Sequence, residues 1–357
     1  MKVVIIGGGV AGLGVGLRLV QAGAEVIVLE RAQPGGGATA AAAGMIAVTA
    51  ELLDAHAAEI EFARNSNALW PDFAKEVEAL SGQKVGFAAR GAMILAADAA
   101  GHARLSRKAT ESGLSMLDEA AVRALAPLVT GPQAGALWSP AEAVVDAKAL
   151  GVALAIAFEK AGGKLVTNAE VGRIERKGGR AVTAHTAAGP YHADVFLLAA
   201  GAWSGLLESS IAPITPVKGE MIALAPPKGQ ALPEQVIWGH GVYVVPRGGR
   251  LLVGATMNVA GFDTGLTQEA ARGLRAGVEA LLPATRDWKT MDHWAGLRPR
   301  APDGLPLLGP TRVDGLWLAG GQFRNGILFA PAIAQAVADQ LLGKANPIPA
   351  FDPRRLK

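Results

Sequence analysis

The stretch from Lys2 to Glu30, KVVIIGGGVAGLGVGLRLVQAGAEVIVLE, constrains the fold more than any other part of the chain. Lys2–Ile6 is a short β-branched, apolar run, the pattern of a strand buried in a parallel sheet. It passes directly into Gly7-Gly8-Gly9-Val10-Ala11-Gly12, which matches G-x-G-x-x-G. A helix is expected from Val10 to about Ala22, closed by Gly23. A second strand, Glu25–Glu30, follows and ends on an acid.

Each part has a physical role. Gly7 permits the tight turn, Gly9 lets backbone approach a pyrophosphate, and Gly12 lets helix and strand pack closely. The helix N-terminus offers free N–H groups and partial positive charge to phosphates. Glu30, about twenty residues on, is placed for ribose hydroxyls. Arg31 beside it raises the question of a 2′-phosphate, which the acid would repel. A lone G-x-G-x-x-G is weak, but strand, glycines, helix, strand and acid in register mark a dinucleotide-binding start. Further βαβ repeats, usual for NAD, do not follow. Instead Ala32–Val48 (AQPGGGATAAAAGMIAV) is a loop of tiny residues that could lie flat against an extended flavin. A flexible surface loop is the other reading of that composition.

The bulk numbers narrow the class. At 357 residues, half hydrophobic and 18% charged, the chain suits an α/β protein of two domains. A net charge of +3 and the absence of long basic runs argue against nucleic acid. RIERKGGR (Arg173–Arg180) and the terminal PRRLK read as a solvated turn and a polar tail. Without cysteine, disulfides, thiolate metal sites and thioether-linked cofactors fall away, and no metal site is nominated. Arg18 interrupts the one long weakly polar stretch, so neither a membrane span nor a signal segment is expected. A cytoplasmic protein is the expectation.

Along the rest of the chain, Ala50 to Leu80 has helical periodicity punctuated by Trp70-Pro71, and Gly86–Ala97 reads as a hairpin. Asp146 N-caps a helix bearing Leu150, Leu154 and Phe158. Strands are expected at Lys164–Thr167, Val171–Arg176 and Ala181–Thr186, with Gly178-Gly179 as a turn. Asp194–Ser204 (DVFLLAAGAWS) is a buried strand ending in small residues, a second place where backbone can approach a ligand. Ile214–Trp294 is rich in strands, notably Val242–Pro246 and Leu251–Ala255. A last strand, Gly315–Ala319, precedes GGQFRNGILFAP and a helix carrying Ile333, Val337 and Leu341 and closed by Gly343, with Pro331 near its first turn. The expected architecture is a Rossmann-like α/β nucleotide domain with an inserted, mostly antiparallel sheet plus helices for the substrate. The nucleotide domain takes residues 1–47, 143–208 and 295–357, and the substrate domain 48–142 and 209–294.

These motifs resemble a known family, the flavin-dependent amino-acid and amine oxidases of the D-amino-acid oxidase type, most closely its glycine oxidase branch of thiamine biosynthesis. The resemblance runs nearly end to end. It is carried by IIGGGVAGLGVGLRL…VIVLE, AAGMIA (Ala42–Ala47), VVDAKALG (Val144–Gly151), AAGAWS, TPVKGEMI (Thr215–Ile222), GVYVVPR, LLVGATM (Leu251–Met257), GLRPRAPDGLPLLG and GGQFRNGILFAP. It implies a noncovalently bound FAD. Gly7, Gly9, Val10, Ala11, Gly12, Glu30 and Arg31 would meet its adenosine and phosphates. Ala43, Gly44, Met45, Val171, Ala200, Gly201 and Trp203 would line its length. Arg298, Arg324, Asn325, Gly326 and Ile327 would lie by the flavin. Two departures bear on substrate: Asn258, where an acid is usual nearby, and Gln322, where His is usual.

The stretch HWAGLRPRAPDGLPLLGP (His293–Pro310) holds Arg298 and Arg300 in apolar company, with Asp303 nearby. A guanidinium there keeps its charge and needs an anion or water. The resemblance assigns Arg298 to the substrate α-carboxylate, which its fork fits bidentately, with the Tyr243 hydroxyl beside it. A structural Arg298–Asp303 pair and a core tyrosine are the other readings. Arg300 is given to structure or solvent, and Arg324 to the substrate side of the flavin or to packing. No base is nominated; His240 and His293 read as packed or solvent-facing. The expected reaction is oxidative deamination of glycine or another small amine acid. A hydride passes to flavin N5, and the products are a 2-oxo acid, ammonia or amine, and H2O2 from O2. Rival readings are a dehydrogenase feeding a quinone or carrier protein, an oxidase of a modified tRNA base, and a flavin-binding sensor without turnover. A homo-oligomer is compatible with the family.

Overall fold

The strand Lys2–Ile6 lies in the middle of a six-stranded sheet, flanked in parallel by Glu25–Leu29 on one side and Val195–Leu198 on the other. This computed structural model describes residues 1–131 and 133–356. Lys164–Val166 closes one edge of the sheet, in parallel; Leu316–Gly320 and an antiparallel Leu307–Pro310 close the other. The chain leaves Lys2–Ile6 to the side opposite Val195–Leu198. The carboxyl ends of these two strands therefore frame the crevice where such sheets bind ligands.

Both faces of the sheet are covered, which is why its strands are apolar on both sides. On one face the helices Val10–Gln21, Ala147–Lys160 and Ala330–Leu341 pack over Val3, Ile5 and Val28, burying Leu13, Phe158 and Ile333. Asp146 caps the second of these through the amides of Lys148 and Ala149. On the other face, Val4, Ile6 and Phe196 meet an antiparallel meander of Val171–Lys177, Arg180–Thr186 and Gly189–His192.

An eight-stranded sheet forms the second layer system. Its order is Lys289–Arg300, Thr215–Ala225, Arg250–Gly254, Val242–Arg247, Val236–Gly239, Ala92–Leu95, Ala136–Ser139 and Ser115–Leu117. Neighbours run antiparallel except Val236–Gly239 beside Ala92–Leu95. Side chains alternate along each strand. Ile222, Leu224, Val244 and Val253 pack against the helix Gln268–Leu281. Met221, Ala223, Tyr243 and Val245 turn the opposite way, toward Ala43 and Val144. That alternation aims Tyr243 at the nucleotide side. Among the described residues no helix is long and apolar enough to cross a membrane.

Several local expectations differ from the structure. Gly86–Ala97 is not a hairpin. Ala88–Ala89 pairs with Ala143–Val144, whereas Ala92–Leu95 joins the large sheet. The chain switches sheets at Gly91, whose φ is +69°, and the amides of Arg90 and Gly91 both donate to the Glu142 carbonyl. The helix Ala57–Ser81 runs through Pro71 without a break. Trp70 and Phe73, buried against the six-stranded sheet's helices, hold it there despite the amide that proline lacks. This helix falls in the 48–142 segment yet buries its apolar face in the nucleotide-side core, anchored by Trp70 Nε1–H and Ser66 Oγ–H donating to the Leu328 carbonyl. Strand Lys289–Arg300 likewise continues past residue 295, paired with Thr215–Ala225 throughout. The Ala32–Val48 loop contains a helical turn, Gly37–Ala41, and a short strand, Met45–Ile46.

Candidate active site

A cavity of about 470 Å³ lies between the two sheet systems. Its nucleotide end is built at the carboxyl edge of the parallel sheet. Gly7 turns the chain with a φ of +112°, and Gly7, Gly9, Val10 and Ala11 line the wall. Gly12 does not. A Cβ there would overlap the Gly7 carbonyl and crowd Ile5, so its role is helix–strand contact. The helix Val10–Gln21 points its N-terminus here with no side chain capping it from Gly9, leaving amides for an anion. The Val10 N–H donates to Thr39 Oγ1 at 3.1 Å.

Glu30 stands on the wall, with Oε2 accepting the Gly8 N–H at 2.7 Å and Oε1 the Ala32 N–H at 2.9 Å. Its carboxylate thus braces the glycine turn and is held in one position, each oxygen keeping a free lone pair. Arg31 lies with its guanidinium 3.7 Å from the Trp203 ring centroid, so stacking occupies it. Ala43, Gly44, Met45, Val171, Ala200, Gly201 and Trp203 continue the wall. Small residues from the Ala32–Val48 segment and from DVFLLAAGAWS therefore meet on one cavity.

The other end is lined by Tyr243, Arg298, Arg324, Asn325, Gly326 and Ile327. Arg298 Nη1 donates to the Thr256 carbonyl at 3.0 Å. Its neighbour across the ladder is Val217, and a Cβ on Gly219 would collide with its guanidinium. Asp303 is taken by Arg355, at 2.8 and 2.9 Å, which rules out a structural Arg298–Asp303 pair. Tyr243 is 6% exposed and opposite Gly254, where a Cβ would strike the phenol. Its hydroxyl has Met221 Sδ at 3.8 Å, a weak acceptor that a carboxylate would outcompete. Burial pushes the phenol's pKa up, so it is a neutral donor. Arg300 is exposed, its guanidinium 5.5 Å from the Phe323 ring centroid.

Arg324 packs over Trp238 and sits with Nε 2.8 Å from Glu51 Oε2. Burial raises the Glu51 pKa overall, and the guanidiniums of Arg324 and, more weakly, Arg298 offset only part of that rise. Asn325 Nδ2 donates to Glu59 Oε1 at 3.1 Å, which fixes the turn before the last helix. Gln322 lines the cavity too, and its buried Nε2 has no partner among the described residues. Asn258 instead pairs by backbone with Lys218, away from the wall. His293 is 3.0 Å from Glu220 outside the cavity, and His240 occupies a turn at φ +50°. Sequence reasoning missed Glu51, Thr39, Met221 and Gly219. Thr39 lies in the Ala32–Val48 segment and Gly219 and Met221 in TPVKGEMI, but each reaches the site through pairing or packing with distant segments, which the motifs do not show.

A glycine-turn phosphate cradle opening into a cavity with two guanidinium groups and a neutral phenol at its far end has the form of a dinucleotide-binding protein. The chain belongs to the FAD dependent oxidoreductase family, whose model matches residues 2–340. It is similar to the bifunctional protein ThiO/ThiG of Trichormus variabilis, with 33% identity over 354 residues, 97% of this chain and 53% of that one. The chain therefore spans about half the length of that relative. It is also similar to a glycine oxidase of Geobacillus kaustophilus, 32% identical over 362 residues, 98% of this chain and 94% of the relative. The crystal structure of glycine oxidase from Geobacillus kaustophilus matches with a TM-score of 0.94 at 30% identity, covering 100% of this chain and 99% of that one. The expected α/β fold with additional antiparallel sheets holds.

The residues present fit FAD. The turn at Gly7 and the helix N-terminus, where Thr39 takes the Val10 amide, suit a pyrophosphate, and the unpartnered amide of Gln322 offers donors to a polar ring edge.

Proposed function

We propose that the protein oxidises glycine or another small amino acid or secondary amine at its α-carbon, with FAD held noncovalently. The observation that carries this reading is Arg298 beside Tyr243 on the wall of the same cavity as the glycine cradle. Similarity to glycine oxidases supports it, and the absence of cysteine fits both noncovalent flavin and a cytoplasmic setting.

Arg298 binds the α-carboxylate through its fork, with Thr256 fixing the guanidinium from behind. Tyr243 turns its hydroxyl from Met221 to the same carboxylate. Together they orient the α-carbon and keep water out of an apolar chamber. FAD held by the glycine cradle would supply the two-electron oxidation of the amine to an imine, whose hydrolysis would give a 2-oxo acid and ammonia or amine, with O2 as the final acceptor and H2O2 as its product. No side-chain base is required. The nearby acid, Glu51, is committed to Arg324.

The test is anaerobic mixing of the flavoprotein with glycine, sarcosine and small D-amino acids while flavin absorbance is followed. Bleaching by one of them, reversed by air with release of H2O2, is the expected result. A flavin that none of them bleaches overturns the substrate class, and bleaching that persists in air favours a dehydrogenase.

A further inference from the structure

The carboxylate-binding pair leaves two charges at the substrate end unused. Glu51 belongs to the short helix Val48–Leu52, and its side chain is 6% exposed. It faces Arg324 at 2.8 Å and also feels Arg298, so one acid sits within the field of two guanidinium groups. Its backbone is fixed from behind. Glu142 Oε1 accepts the amides of Thr49 at 2.7 Å and Ala50 at 3.2 Å, so the helix bearing Glu51 has little freedom to withdraw.

Burying a charge pair costs desolvation that mutual attraction only partly returns, and an apolar wall would be as stable. What the pair changes is the charge of the pocket. Two guanidiniums alone would welcome two anionic groups; with Glu51 against Arg324 the wall can neutralise one. A second anion would also meet the Glu51 carboxylate, a like charge in a chamber where screening is weak. Unpaired repulsive groups of this kind are how sites exclude near-cognate ligands.

We propose that Glu51 sets the anion count of the substrate pocket: by engaging Arg324 it leaves Arg298 as the guanidinium open to a carboxylate, so amines with one anionic group are taken and those with two are rejected. The inference rests on the reading of Arg298 as the carboxylate site. Glu51 is a specificity-determining residue, acting on the substrate through Arg324.

The experiment is calorimetric titration of the FAD-loaded protein with acetate and with malonate at one ionic strength. Neither has an amine, so the readout is independent of turnover. Wild type is expected to bind acetate more tightly than malonate. Glu51→Gln should bind malonate at least about tenfold more tightly than wild type, about 1.4 kcal/mol. Adding Arg324→Gln to it should abolish that gain. Glu51→Ala makes the same comparison should the glutamine variant not retain flavin. Malonate affinity no higher than wild type in either single variant overturns the proposal, as does a gain that survives loss of Arg324. Failure of the carboxylate reading shows elsewhere: Arg298→Ala would then bind acetate as wild type does, while the malonate comparison still reports on Glu51.

Discussion

The guanidinium of Arg298 occupies the space that a Cβ on Gly219 would need. The two residues lie on adjacent antiparallel strands, where Gly219 pairs with Gly296, two positions before the arginine. The pocket's anion site is therefore partly a missing side chain. Gly219→Ala should push the guanidinium aside and raise KM for the amine acid at least about tenfold, about 1.4 kcal/mol. kcat should change less, because positioning for binding is what is lost. Unaltered steady-state kinetics in this variant would contradict the relationship.

Removing the anchors themselves should be graded. Arg298→Ala takes away a bidentate ion pair in a water-poor chamber and should raise KM by orders of magnitude. Tyr243→Phe removes one hydrogen bond to a charged group, worth about 1.5–3 kcal/mol, or about ten- to a hundredfold in carboxylate affinity. Acetate binding to each flavoprotein variant measures the ranking, and equal losses would argue against it.

Glu142 makes stability depend on pH. It is 2% exposed, and burial pushes its pKa up to about 7 against the pull of the Thr49 and Ala50 amides. A carboxyl that holds its proton more tightly folded than unfolded stabilises fully below the unfolded value, and that contribution fades as pH rises toward the folded one. Between about pH 4.5 and 7 the loss approaches about 3 kcal/mol. Glu142→Gln, which mimics the protonated form, should flatten this slope. Its Tm relative to wild type should rise from pH 5 to pH 8; a difference independent of pH would remove Glu142 from the account.

Gly12 is expected to matter for cofactor retention without touching the cavity. A Cβ there meets the Gly7 carbonyl, so Gly12→Ala must shift the phosphate turn or the helix behind it. The variant should purify with much of its visible flavin absorbance lost and with a lower Tm. Full flavin content would show that the turn tolerates the shift.

How far these features were legible in the chain depends on their range. The cradle could be read because G-x-G-x-x-G between a strand and a helix is a local arrangement whose geometry the glycines impose. Tyr243 could be placed on a strand, and period-two alternation put it on one face. The turn at Gly91 was misread as a hairpin because the pairing partners of Ala88–Ala89 and Ala92–Leu95 lie far along the chain. Trp70-Pro71 punctuates the helical periodicity without ending the helix, because the proline's cost is local whereas the burial of Trp70 and Phe73 that outweighs it is tertiary.

By itself the sequence determined the phosphate turn, the buried parallel strands and the apolar company of the arginines, all consequences of residues within a few positions of one another. Only the tertiary structure decided which guanidinium stays available. Arg300 faces solvent, Arg324 meets Glu51, and Arg298 lies over Gly219. Those fates follow from the register of Lys289–Arg300 on Thr215–Ala225 and from the seating of Val48–Leu52. Both are settled by burial summed over segments distant in sequence, which no short motif encodes.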